Sequence, residues 1–326
     1  MKKTMKKPSP PLFKGRAFKG RVKGSVKNRI KGPVLAVLLF LITLTCAHAG
    51  PDTFGPPVEK IISLGPVITK MIYMLGGEAQ LIANTTYCVE PSAAMHKEKI
   101  GTVMQINIER IISLEPDMVI ASSLTRQKQL DILRRHGVRA IRLSNPKNFS
   151  EICDVAARLG EMVGKTKKSG EIISAAQKKV EAIRQAVIGL KKRSVFIQIG
   201  LKPLHTTTKE TFINEYISYS GGINIAENET SGIYSREKVL GQNPDVILIA
   251  TMGSSKKAGE MEKTRWMGFS SLKASANHEI HVLDPEIVCS PTPAIFARGL
   301  KEIAALIHPE AFSSDDDLKP PMKRHP

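Results

Sequence analysis

One short phrase occurs twice in this chain, and that duplication limits the fold more than any other feature. Glu109-Arg110-Ile111 runs on to Pro116-Asp117-Met118-Val119-Ile120, and Glu237-Lys238-Val239 runs on to Pro244-Asp245-Val246-Ile247-Leu248. In each copy a glutamate precedes a Pro-Asp pair at the same spacing, and the pair opens an apolar run suited to a buried strand. The copies lie 128 residues apart (237 less 109), far beyond any solenoid period, so the chain reads as two related lobes. Other landmarks recur in the same order. Ile61-Ile62-Ser63-Leu64-Gly65 and Val195-Phe196-Ile197-Gln198-Ile199-Gly200 each read as the first strand of a lobe, and Gly76-Gly77 is echoed by Gly221-Gly222. Two lobes in one chain create a cleft, where ligands bind preferentially.

The charge balance needs to be located before it is interpreted. The 326 residues carry 48 Lys and Arg against 30 Asp and Glu, a formal net charge of +18. Twelve of the basic residues fall in 1–49, which hold no acid, so the remainder has 36 basic groups (48 less 12) against 30 acidic ones. With that modest excess and no nucleic-acid-binding signature, nucleic acid is not an expected partner. Residues 1–49 read as an export signal: a basic stretch from Lys2 to Lys31, the apolar run Val34 to Thr45, then Ala47-His48-Ala49 before Gly50. That apolar run is shorter than the roughly 17 residues a membrane span needs. Cleavage after Ala49 places the protein in the periplasm. Retention as an anchor, and lipid attachment at Cys46 behind a poor Leu44-Thr45 lipobox, are the two alternatives. Cys88, Cys153 and Cys289 remain after processing, and an odd count leaves at least one thiol free.

Residues 50–57 are rich in Pro and Gly and read as a linker. From 58 to 164 strands (60–64, 80–84, 117–122, 138–143) alternate with helices (66–75, 105–114, 125–136, 148–163), which predicts βαβ units and a mainly parallel sheet. Residues 165–192 place apolar side chains at three- and four-residue spacing with no proline, predicting one rigid interlobe helix. The second lobe, 193–312, repeats the alternation with strands near 194–199, 245–250 and 279–283 and helices near 209–219, 235–242 and 292–307. Residues 313–326 read as a disordered tail. The predicted fold is α/β: two Rossmann-like lobes joined by a long helix.

Lobe, helix and lobe, with Glu-x6-Pro-Asp in each lobe, resembles the periplasmic binding proteins that feed ABC importers of cobalamin, ferric siderophores and haem. The resemblance covers about residues 58–310 and is carried by Lys60-Ile-Ile-Ser-Leu-Gly-Pro66, Thr86-Tyr87-Cys88, Asn107-Ile-Glu109, Ser220-Gly-Gly-Ile-Asn224, Ser235-Arg-Glu237 and Val282-Leu-Asp284 to Gly299-Leu300. Thr-x-Tyr-Cys and Ser-Arg-Glu bring it nearest the cobalamin-binding branch. The family's frequent Arg-Pro-x-Pro-Arg stretch stands here as Cys289-Ser-Pro291-Thr-Pro293-Ala294, without either arginine, which speaks against a ligand gripped through catecholate or carboxylate groups.

The resemblance implies a monomeric, non-enzymatic class III carrier that binds a corrinoid, iron chelate or haem and docks on an inner-membrane permease through Glu109 and Glu237. Ligands of open α/β sheets bind outside the carboxyl ends of the strands. The loops there offer Tyr87, Met104, His205, Tyr234, Met252, Cys289 and Thr292 as a lining, Tyr87 foremost. Aromatic and thioether groups suit the face of a large flat macrocycle. No metal site and no cofactor of the protein's own are expected. The rival reading is an exported metal-handling factor or enzyme using Cys88, His205 and Cys289. Two lookalikes carry little: Gly160-Glu-Met-Val-Gly164-Lys165-Thr166 is one residue short of a phosphate loop, and His278-x-x-His281 lacks a third ligand.

Overall fold

The computed structural model describes residues 58–251 and 256–312. The predicted export signal, linker and tail, and Met252, lie outside them.

Each apolar run that follows a Pro-Asp pair is an interior strand of a sheet, paired on both sides. In the first lobe β1 (Ile61–Leu64), β2 (Leu81–Asn84), β3 (Glu98–Lys99), β4 (Met118–Ala121) and β5 (Ala140–Arg142) pair in the order β3-β2-β1-β4-β5, all parallel. In the second, β6 (Arg193–Gln198), β7 (Gly222–Asn224), β8 (Val246–Ile249) and β9 (Ile280–Val282) pair as β7-β6-β8-β9, again parallel. Every residue of β1, β4 and β8 is buried. Helices cover both faces of a parallel sheet, so its strands are continuous apolar runs rather than alternating ones.

The repeated phrase has the same local structure in both lobes. Glu115 and Asn243 take left-handed backbone angles (φ 48° and 46°), ending a short helix before a buried proline. Asp117 Oδ2 then accepts hydrogen bonds from the backbone N–H groups of Glu59 and Lys60, at 2.9 and 2.8 Å. Asp245 Oδ2 does the same for Ser194, from its N–H at 2.8 Å and its hydroxyl at 2.7 Å. Each aspartate therefore fixes the entry of the neighbouring first strand. Asp245→Ala is expected to lower stability by about 1–3 kcal/mol, and the more exposed Asp117→Ala by less, as read from urea unfolding.

Seven α-helices among the described residues precede β8: α1 (Pro66–Met74), α2 (Ile108–Ser113), α3 (Gln127–Arg135), α4 (Phe149–Met162), α5 (Thr166–Ala186), α6 (Phe212–Tyr219) and α7 (Arg236–Gln242). α8 (Lys256–Met267), α9 (Lys273–Ala276), α10 (Pro285–Cys289) and α11 (Pro293–Ile307) complete the second lobe. α5 joins the sheets, but it is shorter than predicted. It has 21 residues, about 30 Å at 1.5 Å per residue, because the chain turns at Gly189, whose φ is +81°. The phosphate-loop lookalike belongs to the α4–α5 junction. A Cβ on Gly160 would stand 2.5 Å from that of Ser169, so glycine lets the two helices touch.

One apolar core runs through both lobes. It includes Ile61 and Met118 of the first sheet, Phe149 and Leu159 of α4, Val180 and Ile183 of α5, and Val195 and Phe296 of the second lobe. Phe149 stacks on Phe296 at 4.7 Å between ring centres, and Phe296 on Tyr216 at 4.4 Å. The Phe149 N–H also donates to Glu215 Oε2 across the lobes, at 2.6 Å. Packed interiors resist continuous deformation, so the lobes share a solid base rather than a flexible strap.

Candidate functional site

The loop after β2 and helix α10, which follows β9, meet at one side chain of α1. The Lys70 ammonium of α1 pairs with Glu90, on the loop after β2, at 2.8 Å, and with Glu286 of α10 in the other lobe. Burial alone would pull the Lys70 ammonium down; its bonds to the two carboxylates outweigh that and raise it above the usual lysine range.

The β2 loop carries Tyr87, and its surroundings hold it from below. Cys88 is fully buried, its sulfur within 3.2 Å of the Thr69 and Thr85 hydroxyls. The Lys99 ammonium donates to Asn84 Oδ1 (2.7 Å) and to the carbonyls of Cys88 (3.1 Å) and Ala94 (3.0 Å). With its neighbour anchored this way, Tyr87 stays 62% exposed on a fixed loop. Met104, on the turn closed by Thr102 and Gln105, is 55% exposed; Val89, on the same loop as Tyr87, and Leu124, just after β4, are exposed as well. Large apolar side chains exposed on strand-end loops make these loops the candidate binding face.

The second lobe contributes a cavity of about 780 Å³, lined by Lys202, Pro203, His205, Met261, Glu262 and Arg265. His205 is held by its backbone: its carbonyl accepts from Ile199 N–H at 2.8 Å, and its N–H donates to Gly200. Behind the cavity wall lies a polar chain. Trp266 Nε1 donates to Gln198 Oε1 at 2.8 Å, and Gln198 Nε2 donates to Glu262 Oε2 at 3.0 Å. Arg236 bonds the same carboxylate oxygen and Arg265 the other. Burial would raise the Glu262 carboxyl; the bonds from Arg236 and Gln198, with both arginine charges, hold it below the usual range. Glu262 is thus a fully committed anion, and Lys202 and Arg265 leave the cavity mouth basic.

Three of the predicted lining residues are placed otherwise. Tyr234 is a core residue, 7% exposed, packed on Phe196 at 5.6 Å, with a buried hydroxyl that has no hydrogen-bond partner. Tyr234→Phe is therefore expected to leave thermal stability unchanged or raise it slightly, since it removes an unsatisfied polar atom. Thr292 is buried, and its hydroxyl accepts from Ile295 N–H as the cap of α11. Cys289 is half-buried with its sulfur 3.9 Å from the Ala250 carbonyl, and burial pushes its thiol up to about 12. A neutral thiol is a poor metal ligand and nucleophile. Cys88, Cys153 and Cys289 are all free, and no group of three or more His, Cys, Asp or Glu among the described residues is arranged to hold a metal.

A family model for periplasmic binding proteins matches residues 61–287. The chain belongs to that family. The periplasmic binding protein is 28% identical over 282 residues to the uncharacterised ABC transporter substrate-binding lipoprotein YvrC of Bacillus subtilis, a match spanning 84% of this chain and 88% of that one. It is 30% identical over 219 residues to a vitamin B12-binding protein of Photorhabdus laumondii, covering 66% of this chain and 77% of the other. Among solved structures, the periplasmic vitamin B12-binding protein of Vibrio cholerae superposes with a TM-score of 0.67 at 25% identity, over 79% of this chain and 99% of that one.

In this periplasmic binding protein the duplicated glutamates stand in matched places. Glu109 follows the cap Asn107, whose side chain accepts from Arg110 N–H at 3.0 Å. Glu237 follows Ser235, which accepts from Lys238 N–H at 3.2 Å. Both carboxylates are exposed in a first helical turn. Hydrogen bonds from its own N–H and from Ser235 hold the Glu237 carboxyl below the usual range. Glu237 is thereby kept ionised at neutral pH. No helix among the described residues is long and apolar enough to cross a membrane.

Proposed function

We propose that this periplasmic binding protein captures a corrinoid of the cobalamin type, or a related iron chelate or haem, between its lobes and delivers it to the permease of an ABC importer. The observation that carries this reading is Tyr87, a bare aromatic ring on a loop fixed by Cys88 and Lys99. Such a ring has little freedom left to lose on binding and offers a flat face to a macrocycle. Met104 would extend that face. His205, Lys202 and Arg265 would meet the rim of the ligand, where amides or carboxylates need donors. The likeness to vitamin B12-binding proteins favours the corrinoid among these ligands.

Glu109 and Glu237 would dock on arginines of the permease, one per lobe. Bidentate carboxylate–guanidinium pairs fix register across a polar interface. The shared core implies small hinge or shear closure rather than a wide swing. Such a carrier binds and releases without bond chemistry.

Deleting the gene should abolish uptake of labelled cobalamin by the source cell, with uptake restored by the intact chain. Loss of haem or ferric-chelate uptake instead would move the ligand; unaltered uptake of all of them would overturn the reading. The lipoprotein relative also favours lipid attachment at Cys46 as a second view of the N-terminus. Mass spectrometry of the exported protein separates the two: a chain starting at Gly50 means cleavage, and a diacylated Cys46 means an anchor.

A further inference from the structure

Lys70 is a buried lysine that reaches a carboxylate from each lobe, and the repeat architecture does not call for it. Its side chain is 8% exposed, while Glu90 and Glu286 are 55% and 50% exposed. Glu90 sits three residues after Tyr87 on the same loop, and Glu286 lies 216 residues along the chain from Lys70. The preceding residue, Thr69, holds Cys88 of that loop as well. One turn of α1 therefore grips the Tyr87 loop through two neighbouring side chains, and one of the two also crosses to the second lobe. On the second lobe the attachment is firm: Asp284 caps α10 by accepting from Glu286 N–H at 2.9 Å, and Tyr216 donates to the Ile287 carbonyl at 3.1 Å.

A buried ammonium needs its carboxylates, because an unpaired charge out of water is costly. Separating the lobes would strip Glu286 from Lys70 and leave it Glu90 alone. The stacked aromatic base between Phe149 and Phe296 needs no such partner and would stay joined. The hinge thus has an apolar side that holds and an ionic side that can part.

We infer that Lys70 is a positioning residue that sets the lobe separation and the attitude of the Tyr87 loop together, by bridging Glu90 and Glu286. Opening of the lobes and loosening of the Tyr87 loop are then one event, and a ligand that seats on Tyr87 is held better when Glu286 is engaged. That last step rests on the reading of Tyr87 as a ligand contact; the coupling of loop and lobes does not.

The test uses residues 50–326 and four variants: Lys70→Met, Lys70→Arg, Glu286→Gln and Glu90→Gln. Ligand-free protein comes first, with hydrogen exchange over 85–91 and the radius of gyration from small-angle scattering. Glu286→Gln, a half-exposed site with no bearing on the core, should speed exchange in 85–91 and enlarge the radius, although it lies in the other lobe. Glu90→Gln should speed exchange in the loop with a smaller change in radius. Lys70→Met should do both, and Lys70→Arg should restore both toward wild type. With cobalamin, or with haem if wild type binds that instead, Glu286→Gln should weaken affinity about tenfold, mostly through faster release. Exchange and radius unchanged in Glu286→Gln would overturn the inference. If wild type binds neither probe, the ligand proposal fails, and the ligand-free measurements still decide the role of Lys70.

Discussion

Uptake should fall to background when Glu109 and Glu237 are both replaced by arginine, while ligand affinity stays as it was. The two carboxylates occupy the same place in the two copies, 128 residues apart (237 less 109), each exposed at the second position of a capped helix. At a helix start a carboxylate is favoured by the dipole whatever its function, by some 0.3–1 kcal/mol. That accounts for one glutamate but not for a matched pair at opposite lobes. Reversal replaces attraction by repulsion at both ends of the proposed interface, where like charges cost several kcal/mol. Either single reversal should leave partial uptake. Neither carboxylate touches the cavity or the Tyr87 loop, so calorimetric affinity should not move. Uptake that survives the double reversal would refute the docking role.

The second large effect concerns the lining. Tyr87→Ala is expected to cost about 1–3 kcal/mol of ligand binding, the range for losing an aromatic anchor, or roughly fivefold to 150-fold in Kd. Its fold should be unaffected, since the ring is 62% exposed and the loop is held by Cys88, Glu90 and Lys99 rather than by Tyr87. Tyr87→Phe should keep most of the affinity if the ring face makes the contact. An unaltered Kd in Tyr87→Ala would place the ligand elsewhere.

What the sequence reveals, and what it hides, follows from the range of the interactions. The lobes were legible because the Pro-Asp pairs and the continuous apolar strands are local signals, and Asp117 and Asp245 turn out to bond the backbone of the adjoining first strand. β3 and β7 are two and three residues long, too short for a period to register. The helix Lys256–Met267 went unpredicted because its Lys and Glu residues mask any apolar period. That helix matters, since it supplies Met261, Glu262 and Arg265 to the cavity. The stretch at 289–294 lacks the family's arginines, yet the Arg265 guanidinium lines the second-lobe cavity from another element.

The misplacements share a cause. Tyr234 lies in the loop before α7 and Thr292 in the turn between α10 and α11, but a loop's position does not say which way a side chain points. One ring turns into the core, and one hydroxyl caps a helix. The Lys70 bridge was out of reach for a different reason: it joins residues 216 apart that share no motif. Likewise the apolar core shared by the two lobes is a product of packing across α4, α5 and α11.

The most direct measurement is calorimetric titration of residues 50–326 with cobalamin, cobinamide, haem and a small panel of ferric siderophores. One corrinoid per chain at sub-micromolar Kd, weakened in Tyr87→Ala and unchanged in the Glu109→Arg, Glu237→Arg double variant, is the predicted result. Absence of binding by every member of the panel, from a chain that unfolds cooperatively, would contradict it.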